Sequence, residues 1–425
     1  MQTVTHLALI LTRSLLRYII LLLMVCLLAP IVSAEPTVVS NSAEPKNGVR
    51  QLELKEQWRI GGADDEENFF GLVTWAEIDE TGLLYVMDAQ LNEVNVYDQE
   101  GGLVRTLFGE GDGPGEVRDP RDLVLLADGS IGVVQEFPGK VIKVDREGAP
   151  AGSFSPSDGD PEAGGLLALT SADYRAGTMV LAGVSIRPGD KQGQQERHMF
   201  LSTSDSDGVL QTELLSSNVQ WDFTNFVYDE VKALPTFWWA NAVGPDGRIY
   251  AAPDRDAYRI NVYSKGGQLE KIVEREYDSW QRTSKEMEWN TALFKGAFRN
   301  LPFELDLRLS DTESDICWLN RGLQVDNQGQ LWVLPSRGIR EQPDGVMATF
   351  DVFDTAGIYD HQVQVVCPEA DGAEDAVILL GDGRALVIKG FVDATASMFG
   401  GGGVEEEESE EAEPMELICY SILPQ

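Results

Sequence analysis

Histidine is nearly missing from this 425-residue chain: there are three, and only His198 and His361 lie beyond residue 34. That is too few for a three-histidine zinc site and poor material for a histidine-based proton relay. Cysteine is equally sparse. Of four, Cys26 sits in the N-terminal apolar run, and Cys317, Cys367 and Cys419 remain. An odd number leaves three disulfide pairings, or three separate buried thiols, open. Positive charge is short as well: 33 Lys and Arg against 70 Asp and Glu give a net charge of −37. Such a field repels nucleic acid and anionic lipid. No Gly-x-Ser-x-Gly elbow occurs. The glycine run at 109–115 lacks the Lys and Ser/Thr of a phosphate loop and carries Glu110, Asp112 and Glu116 instead. Asp205-Ser206-Asp207-Gly208 looks like the opening of a calcium loop. Counted from Thr203, however, its twelfth position is Leu214 where a bidentate Glu belongs, so it reads as a turn. No metal site and no cofactor are expected, and any calcium drawn to the acidic surface would be held loosely.

The one long apolar run is N-terminal. Arg13 and Arg17 precede the uninterrupted stretch 18–29, which ends in Pro30 and Val32-Ser33-Ala34. This is the layout of a secretory signal over residues 1–34, with cleavage expected after Ala34. An uncleaved anchor is the alternative. As a helix, 18–29 is about 18 Å long, short of a ~30 Å hydrocarbon core, so no stable membrane span is expected after cleavage. Removing Arg13 and Arg17 makes the chain more acidic still. The expected destination is the periplasm or the extracellular space, as a monomer. Residues 35–50 lack periodicity and read as a flexible leader.

From residue 51 onward, short runs of β-branched and aromatic residues alternate with Gly/Asp turns, the signal of many short strands. The turns repeat. Gly82 and Gly101 are 19 residues apart, as are Gly129 and Gly148, and Gly247 and Gly267 keep nearly that interval. Each pair brackets two strands, as in Leu84-Tyr85-Val86-Met87-Asp88 followed by Glu93-Val94-Asn95-Val96-Tyr97. A four-stranded sheet of this kind exposes both faces and must stack on its neighbours, and radial closure leaves only short edges. The expectation is an all-β fold over 51–425, a six-bladed β-propeller of four-stranded antiparallel blades. The blades centre on 75–108, 121–154, 166–215, 238–273, 318–366 and 376–422. The last is short of a strand, which 51–60 could supply. A helical insertion is expected near 277–298, opening at Thr283 or Ser284. Residues 400–413, glycines followed by a block of glutamates, read as a disordered insertion within the last blade.

Phe108-Gly109-Glu110-Gly111-Asp112-Gly113-Pro114-Gly115-Glu116-Val117, with Pro120 after it, resembles the Gly-rich blade junction of NHL-repeat propellers. The strands around Leu84-Tyr85-Val86 and Val94-Asn95-Val96-Tyr97 fit that repeat too. The chain is similar to the bacterial exported members with six blades. The resemblance implies a fold. It implies little about activity, because that group spans ligand-binding proteins, scaffolds and a few lyases and hydrolases.

Propeller ligands sit over the central channel, where the innermost strands begin. Counting eight residues back from the first turn glycine of a blade gives Thr74, Arg121, Trp239 and Arg321. Two arginines there are notable in so acidic a chain. These four residues are the expected ligand-binding rim, taking a peptide, protein or glycan, with no catalytic residue assigned. The rival expectation is an enzyme, a calcium-assisted lactonase or other hydrolase, or a lyase, working through rim carboxylates. A purely architectural surface module is the third.

Overall fold

The turns explain the strands. In Asp79-Glu80-Thr81-Gly82, the Asp79 carboxylate accepts from the N–H groups of Thr81 and Leu83, at 2.8 and 3.1 Å. Gly82 takes the positive φ of 86° that closes the hairpin. Asp98, Asp145, Asp205, Asp326 and Asp354 hold their own turns in the same way. The calcium-like segment at Asp205 is thus one more hairpin turn.

A computed structural model describes residues 35–63, 65, 68–157, 165–302, 304–318, 321–398 and 414–423. Strands β1 (Thr37–Asn41) and β2 (Val49–Gly61) come first. Next is an antiparallel sheet of β3 (Val73–Ile78), β4 (Leu84–Asp88), β5 (Glu93–Tyr97) and β6 (Leu103–Phe108). The second holds β7 (Pro120–Leu125), β8 (Ile131–Gln135), β9 (Lys140–Val144) and β10 (Pro150–Phe154). The third holds the longer β11 (Leu166–Arg175), β12 (Thr178–Pro188), β13 (Gln194–Ser204) and β14 (Leu210–Asp222). Beyond β15 (Val227–Asp229) and α1 (Glu230–Ala233) lie β16 (Asn241–Val243), β17 (Ile249–Ala251), β18 (Arg259–Tyr263) and β19 (Leu269–Arg275), with β1 added parallel on the outer edge. Helix α2 (Ser284–Ala297) and β20 (Asp306–Arg308) follow. An eight-stranded sheet combines β21 (Leu323–Val325), β22 (Leu331–Val333), β23 (Val346–Phe353) and β24 (Tyr359–Val366) with β2 and with β25 (Ala376–Leu380), β26 (Arg384–Lys389) and β27 (Glu416–Ile422). Helix α3 (Phe391–Met398) lies between β26 and β27.

The chain is an all-β propeller of four-stranded antiparallel blades. The innermost strands neighbour one another in the order β25, β3, β7, β11, β16, β21. Because sheets stack face to face, middle strands are apolar on both sides: every residue of β4 and of β8 is buried. Tyr85, Met87 and Val96 pack against Leu123, Ile131 and Ile142 of the next sheet. Leu84, Val86 and Tyr97 meet Ile378, Leu386 and Leu417, joining the first sheet to the last strands of the chain.

Strand β2 ties the ends together. Residues 54–61 pair antiparallel with β27, as expected for a strand completing the last sheet, and 49–53 pair parallel with β24. The expectation of a flexible leader over 35–50 is corrected at both ends. Thr37–Asn41 forms β1, and Asn41 donates to the carbonyls of Glu274 and Gly357, each at 3.0 Å, and accepts from the Tyr359 N–H at 2.8 Å. Helix α2 starts where expected, with Thr283 and Glu286 forming a reciprocal capping box. Its Phe294 and Phe298 pack with Trp221, Phe226 and Tyr228 in an aromatic cluster. The signal expected over 1–34 and the disordered insertion expected at 400–413 lie outside the described residues. No described helix is long and apolar enough to cross a membrane.

Candidate functional site

Each sheet sends its innermost strand to the axis, and the turns between first and second strands gather on one face. There they enclose a cavity of about 1060 Å³ running up the channel, lined from all six inner strands: Trp75 and Glu77, Val124, Asp173 and Arg175, Asn241, Gln324, and Leu380. The volume suits a small molecule or one extended side chain.

An ion pair stands at the border of this cavity. Arg321, just ahead of β21, reaches Asp122 on β7. The Asp122 side chain is almost wholly buried and also accepts from the N–H groups of Leu123 and Ala172, at 2.7 and 3.0 Å. The guanidinium lies 3.9 Å from the centre of the Trp75 ring, within cation–π range. Arg321 holds φ at 39°, a conformation uncommon outside glycine. Burial pushes its pKa down to about 10, with the nearby Glu77 opposing, so the group stays charged at neutral pH.

Two carboxylates line the wall. Glu77 accepts from the Trp75 indole N–H at 2.8 Å. Burial raises its pKa, while the Trp75 hydrogen bond and the charges of Arg321 and Arg175 lower it. Asp173 accepts from the Val243 N–H at 2.7 Å. Burial, with the charge of Glu77 second, pushes Asp173 up to about 7. At the mouth, Arg175 donates to the Val325 carbonyl at 2.6 Å and to the Asn327 side chain. Arg146 pairs with Asp79 and Glu80 at 2.9 and 2.7 Å.

The four expected rim residues do not come together. Only Arg321 lines the channel cavity. Thr74 and Arg121 share a separate cavity of about 140 Å³ with Trp318 and Phe391. There Arg121 pairs with Glu136, and the Thr74 hydroxyl is buried without a partner among the described residues. Trp239 packs against the core between the fourth sheet and β21–β24, its indole N–H likewise without a described partner. The reason is geometric: eight residues ahead of the turn lies the far end of the inner strand, and side chains there diverge with the local loop. Sequence reasoning passed over Glu77 and Gln324, each five residues ahead of a turn glycine, a spacing that would have found both. Asp173 has no such signal, because the third sheet departs most from the repeat.

His198 bonds Glu213 and Asn218 at 2.7 and 2.9 Å, and His361 bonds Asp360 at 2.7 Å; neither lines the channel. Cys317, Cys367 and Cys419 are all buried. Burial pushes the Cys419 thiol up to about 11. Among the described residues, no group of three or more His, Cys, Asp or Glu side chains is placed to hold a metal ion.

No known family pattern matches the chain, and no curated protein does. Solved structures with a similar chain path include a Bacteroides fragilis protein classed as exported, 13% identical with TM-score 0.47, covering 91% of this chain and 100% of its own. A DUF4221 member from Bacteroides vulgatus is 11% identical with TM-score 0.46, over 88% and 99% of the two chains. Regucalcin, a calcium-binding protein from Agrobacterium tumefaciens, is 13% identical with TM-score 0.39, over 88% and 96%.

Proposed function

We propose that the chain is an exported, six-bladed propeller of the NHL-repeat kind that binds a small ligand, or the end of a peptide or glycan, in its central channel without transforming it. The blade count takes the eight-stranded sheet as two blades, β21–β24 and β25–β27 with β2, joined because β2 pairs with both. Export rests on the signal-like residues 1–34. The observation that supports binding is the channel itself: one cavity, lined from all six inner strands and bordered by the Arg321–Asp122 pair.

Narrowing the channel tests this. Gln324→Trp fills space on the wall, and the amide nitrogen it removes has no partner among the described residues. Small molecules held by protein purified from spent growth medium are released by denaturation and identified by mass spectrometry. The reading expects a molecule retained by the parent and lost from Gln324→Trp at an unchanged melting temperature; equal retention by both contradicts it.

The enzyme reading keeps one specific support. Asp173, pushed up to about 7 beside Glu77, lies in the range of a general acid or base at neutral pH. Recovery of the retained molecule in altered form after incubation with the parent, and unaltered with Asp173→Asn, favours that reading.

A further inference from the structure

The charges inside the channel do not balance. Glu77, Asp122 and Asp173 face Arg175 and Arg321, three carboxylates to two guanidiniums. Both guanidiniums are committed: Arg321 to Asp122, Arg175 to the carbonyl of Val325 and the amide of Asn327. Glu77 is left with one neutral donor, the Trp75 indole, and Asp173 with two, the N–H groups of Val243 and Tyr174. Placing like charges together in a poorly solvated channel is costly, and a counter-charge between them removes the cost. Gln324, on the same wall, has a side-chain nitrogen with no partner among the described residues.

We propose that the channel selects a ligand bearing one positive charge, a primary amine or guanidinium end, seated between Glu77 and Asp173. This rests on the channel-binding reading above. A single charge restores balance. A divalent metal suits the site less well, since calcium takes roughly six to eight oxygen ligands and among the described residues no group of three or more acidic, His or Cys side chains is placed to hold one. The acidic mouth at Asp79, Glu80, Asp326 and Asp382, in a chain of net charge −37, draws cations in.

With the channel empty, a proton on Asp173 supplies the missing charge near neutrality. The charged groups acting on Asp173 are Glu77 from β3 and Arg175 from its own strand, and Arg321, paired with Asp122, lines the same cavity. A bound ammonium takes that proton's place, so affinity falls as pH drops below 7.

Calorimetric titration with butylammonium, butanol and butanoate, at pH 8 and pH 6, tests the proposal. Butylammonium is expected to bind at pH 8 and about tenfold more weakly at pH 6, while butanol and butanoate bind weakly or not at all. Glu77→Gln and Asp173→Asn, both near-isosteric, are each expected to weaken butylammonium binding at least ~10-fold, with melting temperatures confirming that they fold. If either variant fails to fold, the parent's probe and pH series decides alone. Equal binding of the three probes, or unchanged affinity in both folded variants, overturns the amine assignment. So does absence of binding by any probe. In that last case, retention of a molecule sensitive to Gln324→Trp would show that the channel still binds, whereas its loss would remove the channel reading as well.

Discussion

Arg121 and Arg321 hold the same place in the repeat, eight residues ahead of a turn glycine, yet their surroundings differ. Asp122, the partner of Arg321, is buried and keeps only backbone donors if the guanidinium is removed. Arg321→Ala is therefore expected to cost about 3 kcal/mol, the low end for breaking a buried pair, because the N–H groups of Leu123 and Ala172 still serve the carboxylate. The Arg121–Glu136 pair is about one-third exposed on both sides, at 32% and 37%. Arg121→Ala is expected to shift stability by less than ~1 kcal/mol. Thermal melts of the two variants check the contrast, and equal losses would contradict it. The shared position was legible from the turn spacing. The difference was not, since Asp122 comes from a strand two hundred residues away. The same holds for Glu77 and Asp173, which meet only when the ring closes.

At the level of elements, local chemistry was readable and distant pairing less so. The Asp-x-x-Gly hairpins and the Thr283–Glu286 capping box depend on residues within a few positions of one another, and all stand where the sequence placed them. Closure by 51–60 was legible because the last sheet lacked a strand. The short β1, Thr-Val-Val-Ser-Asn, carries no comparable deficit to announce its partner, and it docks on β19. Deleting 35–48 removes β1 and the Asn41 hydrogen bonds, and should lower the melting temperature by a few degrees. Deleting 35–60 also removes the strand shared by β24 and β27, and should abolish cooperative folding. A silent first deletion would contradict the β1 pairing, and a second deletion no worse than the first would contradict closure through β2.

For the whole molecule, buried acids set how stability follows pH. Asp173 is raised to about 7 and Asp315 to about 6, each chiefly by burial. An acid whose folded pKa lies above its unfolded value holds a proton in the folded state that the unfolded chain has released. Stability is then highest below the unfolded value near 4 and falls as pH rises toward the folded value. The melting temperature is expected to decline from pH 5 to pH 8. Asp173→Asn should flatten that decline by roughly 1–3 kcal/mol over the interval, and parallel profiles for parent and variant would argue against a protonated Asp173. Glu286, held down to about 2, acts the opposite way and only in strong acid: its contribution is lost as pH falls from about 4.5 toward 2.

Binding in the channel is most directly tested by a crystal structure of the protein purified from its own growth medium, refined to show what occupies the axis. The account predicts density for a compact organic molecule in the cavity bordered by the Arg321–Asp122 pair, its cationic end between Glu77 and Asp173. A channel holding ordered water alone, with ligand density at another surface such as the groove beside Glu286, Arg340 and Asp375, would contradict it.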